Sequence, residues 1–132
     1  INAIASAAGS ALDLEAFGST MNADKISEGK PAPEVYEMCL KELGIHPSEA
    51  VAVEDTAISV QSAKHAGLVC IATPGKYTSA QDFSLADAVV GSLGEPGQRL
   101  EAMETSHPLT EGYVTLDWLE QLLKRANAPK VA

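Results

Sequence analysis

Basic residues are scarce in this chain. Nine Lys and Arg stand against 18 Asp and Glu in 132 residues, a formal net charge of −9. No face of such a chain can gather the positive charge that a phosphodiester backbone requires, which excludes a nucleic-acid partner. Cysteine is almost absent as well. Cys39 and Cys70 form no metal-ligand spacing, and on a predicted helix and strand they read as buried free thiols of a reducing, cytoplasmic compartment. No apolar run is long enough to cross a membrane, and there is no signal peptide, low-complexity tract or internal repeat. His46, His65 and His107 are scattered without a catalytic partner and read as structural or solvated. What is present is an ordinary hydrophobic share, 45%, enough for one core and at most one domain.

The most informative stretch is Val51-Ala52-Val53-Glu54-Asp55-Thr56. The apolar run predicts a strand covered on both faces. Thr56 to Ala66 reads as a helix closed by Gly67, and Leu68 to Ala72 as a second apolar strand. Strand, helix and strand at this spacing make a right-handed crossover of a parallel sheet. Ligands of such sheets bind beyond the carboxyl ends of the strands, where Glu54 and Asp55 fall. Two acids there, beside a helix N-terminus, suit a hard cation such as magnesium with a phosphate nearby. A simpler alternative also stands: Asp55 caps the helix and Glu54 is its solvated neighbour.

One helix upstream lies Gly29-Lys30-Pro31-Ala32-Pro33-Glu34. Pro31 and Pro33 stiffen the approach to a helix that runs to Leu43 and stops at Gly44. Val35, Cys39 and Leu43, with Tyr36 and Leu40 alongside, predict the face packed on the sheet. Lys30 is thereby held in a rigid loop, its ammonium expected within salt-bridge reach of Glu54 or Asp55. A cation fixed near two carboxylates suits charge balance at a reacting phosphate; an ordinary surface lysine is the alternative. Farther on, Thr73-Pro74-Gly75-Lys76-Tyr77 forms a loop on the same edge, and Ala88 to Val90 a short edge strand. Gln98 to Met103 reads as a short helix. Thr115 caps a last helix with Leu116, Leu119, Leu122 and Leu123 on one stripe and Trp118 at its margin, docked on the sheet or, alternatively, offered to a partner.

Lys30 with Pro-Ala-Pro-Glu, then Val-Ala-Val-Glu-Asp-Thr, then Gln61-Ser62-Ala63-Lys64-His65-Ala66-Gly67-Leu68 resembles the haloacid dehalogenase-like superfamily, in the branch of β-phosphoglucomutase and phosphoglycolate phosphatase-type enzymes. The likeness runs from about Gly29 to Val90, and two motifs in order are far more specific than either alone. It implies a magnesium-dependent phosphohydrolase acting on a small phosphorylated metabolite through an aspartyl-phosphate. Lys30 and Asp55 would be catalytic, Glu54 and Asp55 would hold Mg2+, and Ser6 and Lys30 would bind the phosphate. For Ser6 a plain turn residue is the alternative. A sugar phosphomutase is the other activity implied.

Two departures from that pattern are visible. The family usually carries a glycine where Ser59 stands, so a side chain enters the first helical turn. It also needs an Asp-x-Asp ending its central strand, and none occurs here. Asp13-Leu14-Glu15 lacks the preceding strand and lies too close to Lys30, so Asp13 is rejected as nucleophile. The expected architecture is therefore α/β, a partial Rossmann-like open parallel sheet flanked by helices, one partial core domain over residues 1–132 without the nucleophile strand and cap. Such a fragment would be inactive alone, and the resemblance places the missing strand against the Glu54-Asp55 strand. The alternative is a non-catalytic remnant that self-associates through its unpaired strand edges.

Overall fold

A computed structural model describes residues 19, 21, 23–97, 108–109 and 111–129. The Ile1–Ala5 strand, Ser6, Asp13, the helix expected over Gln98–Met103, and His107 lie outside the described residues.

Helix α1 spans Glu34–Leu43 and ends where Gly44 takes φ 67°, its N–H turning back to the carbonyls of Leu40 and Lys41. Strand β1 is Val51–Glu54. Thr56 then caps helix α2, Ala57–His65, by accepting the Ser59 N–H on its hydroxyl, which satisfies one of the amides a helix start leaves open. Gly67 closes α2 at φ 80°, a left-handed conformation that a side chain would strain. Strand β2 is Val69–Ala72, strand β3 is Ala88–Val89, and helix α3 is Leu116–Ala126 with Thr115 as its cap. Each lies within a residue or two of its sequence expectation.

The strands run parallel in the order β1-β2-β3. Val51 lies against Val69 and Glu54 against Ala72, while Ile71 and Ala72 lie against Ala88 and Val89. Asp87 lengthens the short β3 edge. Its N–H donates to the Cys70 carbonyl, and its carboxylate accepts the Cys70 N–H at 2.8 Å and the Lys64 ammonium at 2.6 Å. Side-chain alternation along the strands sorts the core into two layers. Ala52, Cys70 and Ala72 pack with Leu40, Val60, Ala63, Leu68 and Phe83 on the α1 and α2 side. Val69, Ile71, Ala88 and Val90 pack with Trp118 and Leu122 on the α3 side, Val51 joining them.

Four sequence expectations are corrected. β1 is not covered throughout: Val53 is 45% exposed, and, unlike Val51, it takes no part in the cluster packed under α3. Of the predicted α1 face, Leu40 and Tyr36 join the core cluster, Val35 and Cys39 are only partly buried, and Leu43 is exposed. Cys39 is consequently only partly buried, whereas Cys70 is wholly so. On α3 the anchors are Trp118 and Leu122, with Leu119 and Leu123 beside them; Leu116, in the first turn, is exposed.

Candidate active site

Four segments converge at the carboxyl end of β1. Glu54 is the last residue of that strand, and its backbone carbonyl is fixed by the Thr73 N–H at 2.7 Å. The loop carrying Lys30 is fastened to α2 rather than only stiffened by proline. Ser62 donates its hydroxyl to the Ala32 carbonyl, and His65 Nδ1 meets the Pro31 carbonyl at 3.1 Å. The Ala32 N–H closes the turn on the Gly29 carbonyl. Held this way, Lys30 Nζ donates to Glu54 Oε1 at 3.0 Å. It also donates to Ser59 Oγ at 2.9 Å and lies 5.3 Å from the centroid of the Tyr36 ring, where the electron-rich face attracts a cation.

Glu54 Oε1 also accepts the Tyr36 hydroxyl. Burial first, then the hydrogen bond and charge of Glu54, push the Tyr36 phenol above its ordinary value, so it stays a protonated donor. Beneath it, burial and then the Glu54 charge push the Cys70 thiol up to about 12, which leaves it an inert apolar filler rather than a nucleophile. The Glu54 side chain is 16% exposed and that of Lys30 33%. The carboxylate is therefore shielded while the lysine side chain stays partly open to solvent.

Asp55 behaves differently from its neighbour. Its side chain is exposed and has no hydrogen-bond or ion-pair partner among the described residues. Of the expected site residues, the structure joins Lys30 to Glu54, leaves Asp55 beside them pointing to solvent, and does not describe Ser6. No group of three or more His, Cys, Asp or Glu that could hold a metal occurs among the described residues. Glu54 and Asp55 nonetheless offer the hard oxygen donors magnesium prefers, and that ion commonly takes only one or two carboxylates beside phosphate and water oxygens. The donor set fits in kind and is partial in number.

Sequence reasoning missed Tyr36 and Ser59 as parts of this site. Tyr36 reads as one more apolar face residue, and only its hydroxyl hints at a partner. Ser59 carries a clearer signal, a hydroxyl where a side chain is not expected. It is buried, at 6% exposure, and accepts from both Lys30 and the Thr56 hydroxyl. At the start of α2, Gln81 Oε1 accepts the Ala57 N–H at 2.8 Å. Lys76 and Tyr77 of the loop after β2 are exposed and pair with each other, the ammonium 5.8 Å from the ring centroid.

A parallel sheet with a lysine–glutamate pair at its carboxyl edge, followed by a second acid and a capped helix, defines an open Rossmann-like α/β core. The family model described as haloacid dehalogenase-like hydrolase matches residues 10–73. Protein CbbY of Cereibacter sphaeroides is 41% identical over 83 residues, which covers 63% of this chain and 36% of that protein. The putative phosphatase YhcW of Bacillus subtilis is 37% identical over 79 residues, covering 60% of this chain and 36% of that protein. Among solved structures, CbbY from Rhodobacter sphaeroides in complex with phosphate superposes with a TM-score of 0.53 at 43% identity, over 56% of this chain and 33% of that one. Over the matched segments the chain is similar to haloacid dehalogenase-like hydrolases, with CbbY and a putative phosphatase among its relatives. It spans about a third of the length of these relatives.

Proposed function

We propose that this chain forms the charge-balancing half of a magnesium-dependent phosphomonoester hydrolase site. The observation that carries the reading is Lys30 Nζ at 3.0 Å from Glu54 Oε1 at the carboxyl end of β1, with Asp55, which has no partner among the described residues, next in sequence. In this reading Asp55, helped by Glu54, holds the metal, which supplies a positive charge to polarise the phosphoryl oxygens. Lys30 neutralises charge that gathers on those oxygens as the phosphoryl group transfers. Tyr36 and the shielded Glu54 keep that ammonium in place. Ser6 is proposed as a further phosphate contact. The attacking group of this chemistry is an aspartate, and no Asp-x-Asp is present in these 132 residues, so the chain by itself is expected to bind and not to turn over.

A small phosphorylated metabolite is the proposed substrate class, with a phosphorylated sugar as the first choice. The CbbY of Rhodobacter sphaeroides was crystallised with xylulose-(1,5)bisphosphate as well as with phosphate. No helix among the described residues is long and apolar enough to cross a membrane, and two free thiols suit a reducing, cytoplasmic setting.

Titration calorimetry with magnesium tests the site. Binding should be weak, strengthened by inorganic phosphate, and abolished by Asp55→Asn. Tight binding, or binding that this substitution leaves intact, would show that the metal lies elsewhere. Hydrolysis of a generic phosphomonoester by the chain alone would place a nucleophile within it and overturn the assignment of roles.

A further inference from the structure

Ser59 occupies the first turn of α2 with its hydroxyl turned toward the Lys30 ammonium. Its Oγ accepts from Lys30 Nζ at 2.9 Å and from Thr56 Oγ1 at 2.8 Å. Its own N–H returns to Thr56 Oγ1 at 3.3 Å. A buried hydroxyl must be paired, and a helical serine commonly pairs with the carbonyl one turn back. Ser59 does not. Among the described residues its hydroxyl partners are the cation and the capping threonine, and nothing else.

An ammonium has three donors on a flexible stem. Held only by Glu54 it would keep one N–H fixed and swing about that contact. Glu54 at 3.0 Å and Ser59 at 2.9 Å fix two of the three directions, and tetrahedral geometry then fixes the third. The Tyr36 ring bounds another side. We infer that Ser59 is a positioning residue, set by Thr56, that aims the third N–H of Lys30 at the anionic ligand of the crevice. This rests on the proposed reading of Lys30 as the phosphate-facing cation.

The test uses the 132-residue chain with 13C-labelled lysine and inorganic phosphate as the probe. In the unaltered chain the two Lys30 Cε protons should give separate signals, as expected for a head held in one orientation, and phosphate should move them. Ser59→Ala should merge the two signals and raise the phosphate dissociation constant about threefold to tenfold, the effect of one lost hydrogen bond. Ser59→Thr should restore both. The Trp118 indole and Cys70 amide signals should stay in place, which separates a freed lysine from a damaged fold. Should Ser59→Ala fail to fold, Thr56→Ala provides the second variant, since it releases the Ser59 hydroxyl and should produce the same merging in weaker form. Separate signals and unchanged phosphate affinity in the folded variants would overturn the inference while leaving Lys30 as the phosphate-facing cation. A Lys30 signal that phosphate never moves would instead overturn that underlying reading, and with it the aim assigned to the third N–H.

Discussion

The two faces of the sheet solve different problems with different side chains. On the α3 side, Ile71, Val69, Trp118 and Leu122 are large, and the residues buried there are apolar among the described residues. On the α1 and α2 side the strands present Ala52, Cys70 and Ala72, and Ser59 and Ser62 are buried among them. Small residues let α2 approach the sheet closely, so that its hydroxyls reach Ala32 and Lys30. One face holds the domain together by apolar area; the other gives up area to hold a lysine in place. Stability and site geometry should therefore respond to different substitutions.

Leu122→Ala should have the largest effect. Leu122 is 2% exposed, and truncating such a residue costs about 2–5 kcal/mol. Urea denaturation should show that loss, while the remaining folded protein keeps the Lys30–Glu54 contact. A change in the Lys30 signals of folded Leu122→Ala would mean that the two faces are not separable.

Alkaline pH should come next, and it acts through two groups of the site face. The folded-state values of Cys70 and Tyr36 are both raised. Between the ordinary thiol value, about 8.5, and the Cys70 value of about 12, the unfolded chain releases a proton that the folded chain retains. The contribution is fully present below that window and is lost as pH rises through it. Denaturation midpoints should fall over this range, and Cys70→Ala should flatten the slope. An unchanged slope would mean that the thiol does not report on this face.

Tyr36→Phe should give the smallest effect. It removes one donor from Glu54 Oε1 and keeps the ring beneath Lys30, for a loss of about 1 kcal/mol. Equilibrium unfolding measures it. A loss of several kcal/mol would show that the tyrosine hydroxyl, rather than the small-residue packing, sustains the site face.

Most of the frame was legible in the sequence because its signals are local. Thr115 was readable as a cap, Gly44 and Gly67 as stops, and the β1-α2-β2 order from apolar runs alone; the cap of α2, offered to Asp55 as an alternative, falls instead on Thr56. The pairing of Lys30 with the acid edge was legible from two motifs. Which acid it meets was not, because the choice of Glu54 over Asp55 depends on strand pleat and on the position of Tyr36 across a separate helix. The α1 face was read too widely for a related reason. Val35, Cys39 and Leu43 are as apolar as Tyr36 and Leu40, and only the angle at which α1 meets the sheet selects between them. Val53 shows the limit of composition: an apolar run marks a strand but does not say that both faces are covered.

Helix α2 is tethered at its two ends by unlike means. Its first turn is held through Thr56 and Ser59 to Lys30, and its last through the Lys64 ammonium to Asp87, at 2.6 Å. A rod pinned at one end can pivot; pinned at both, it can only bow or twist. Over nine residues, about 13 Å at 1.5 Å per residue, α2 links the Asp87 tether to the Lys30 tether. Asp87→Asn would slacken its far anchor, and the Lys30 signals should register that from the opposite end of the helix.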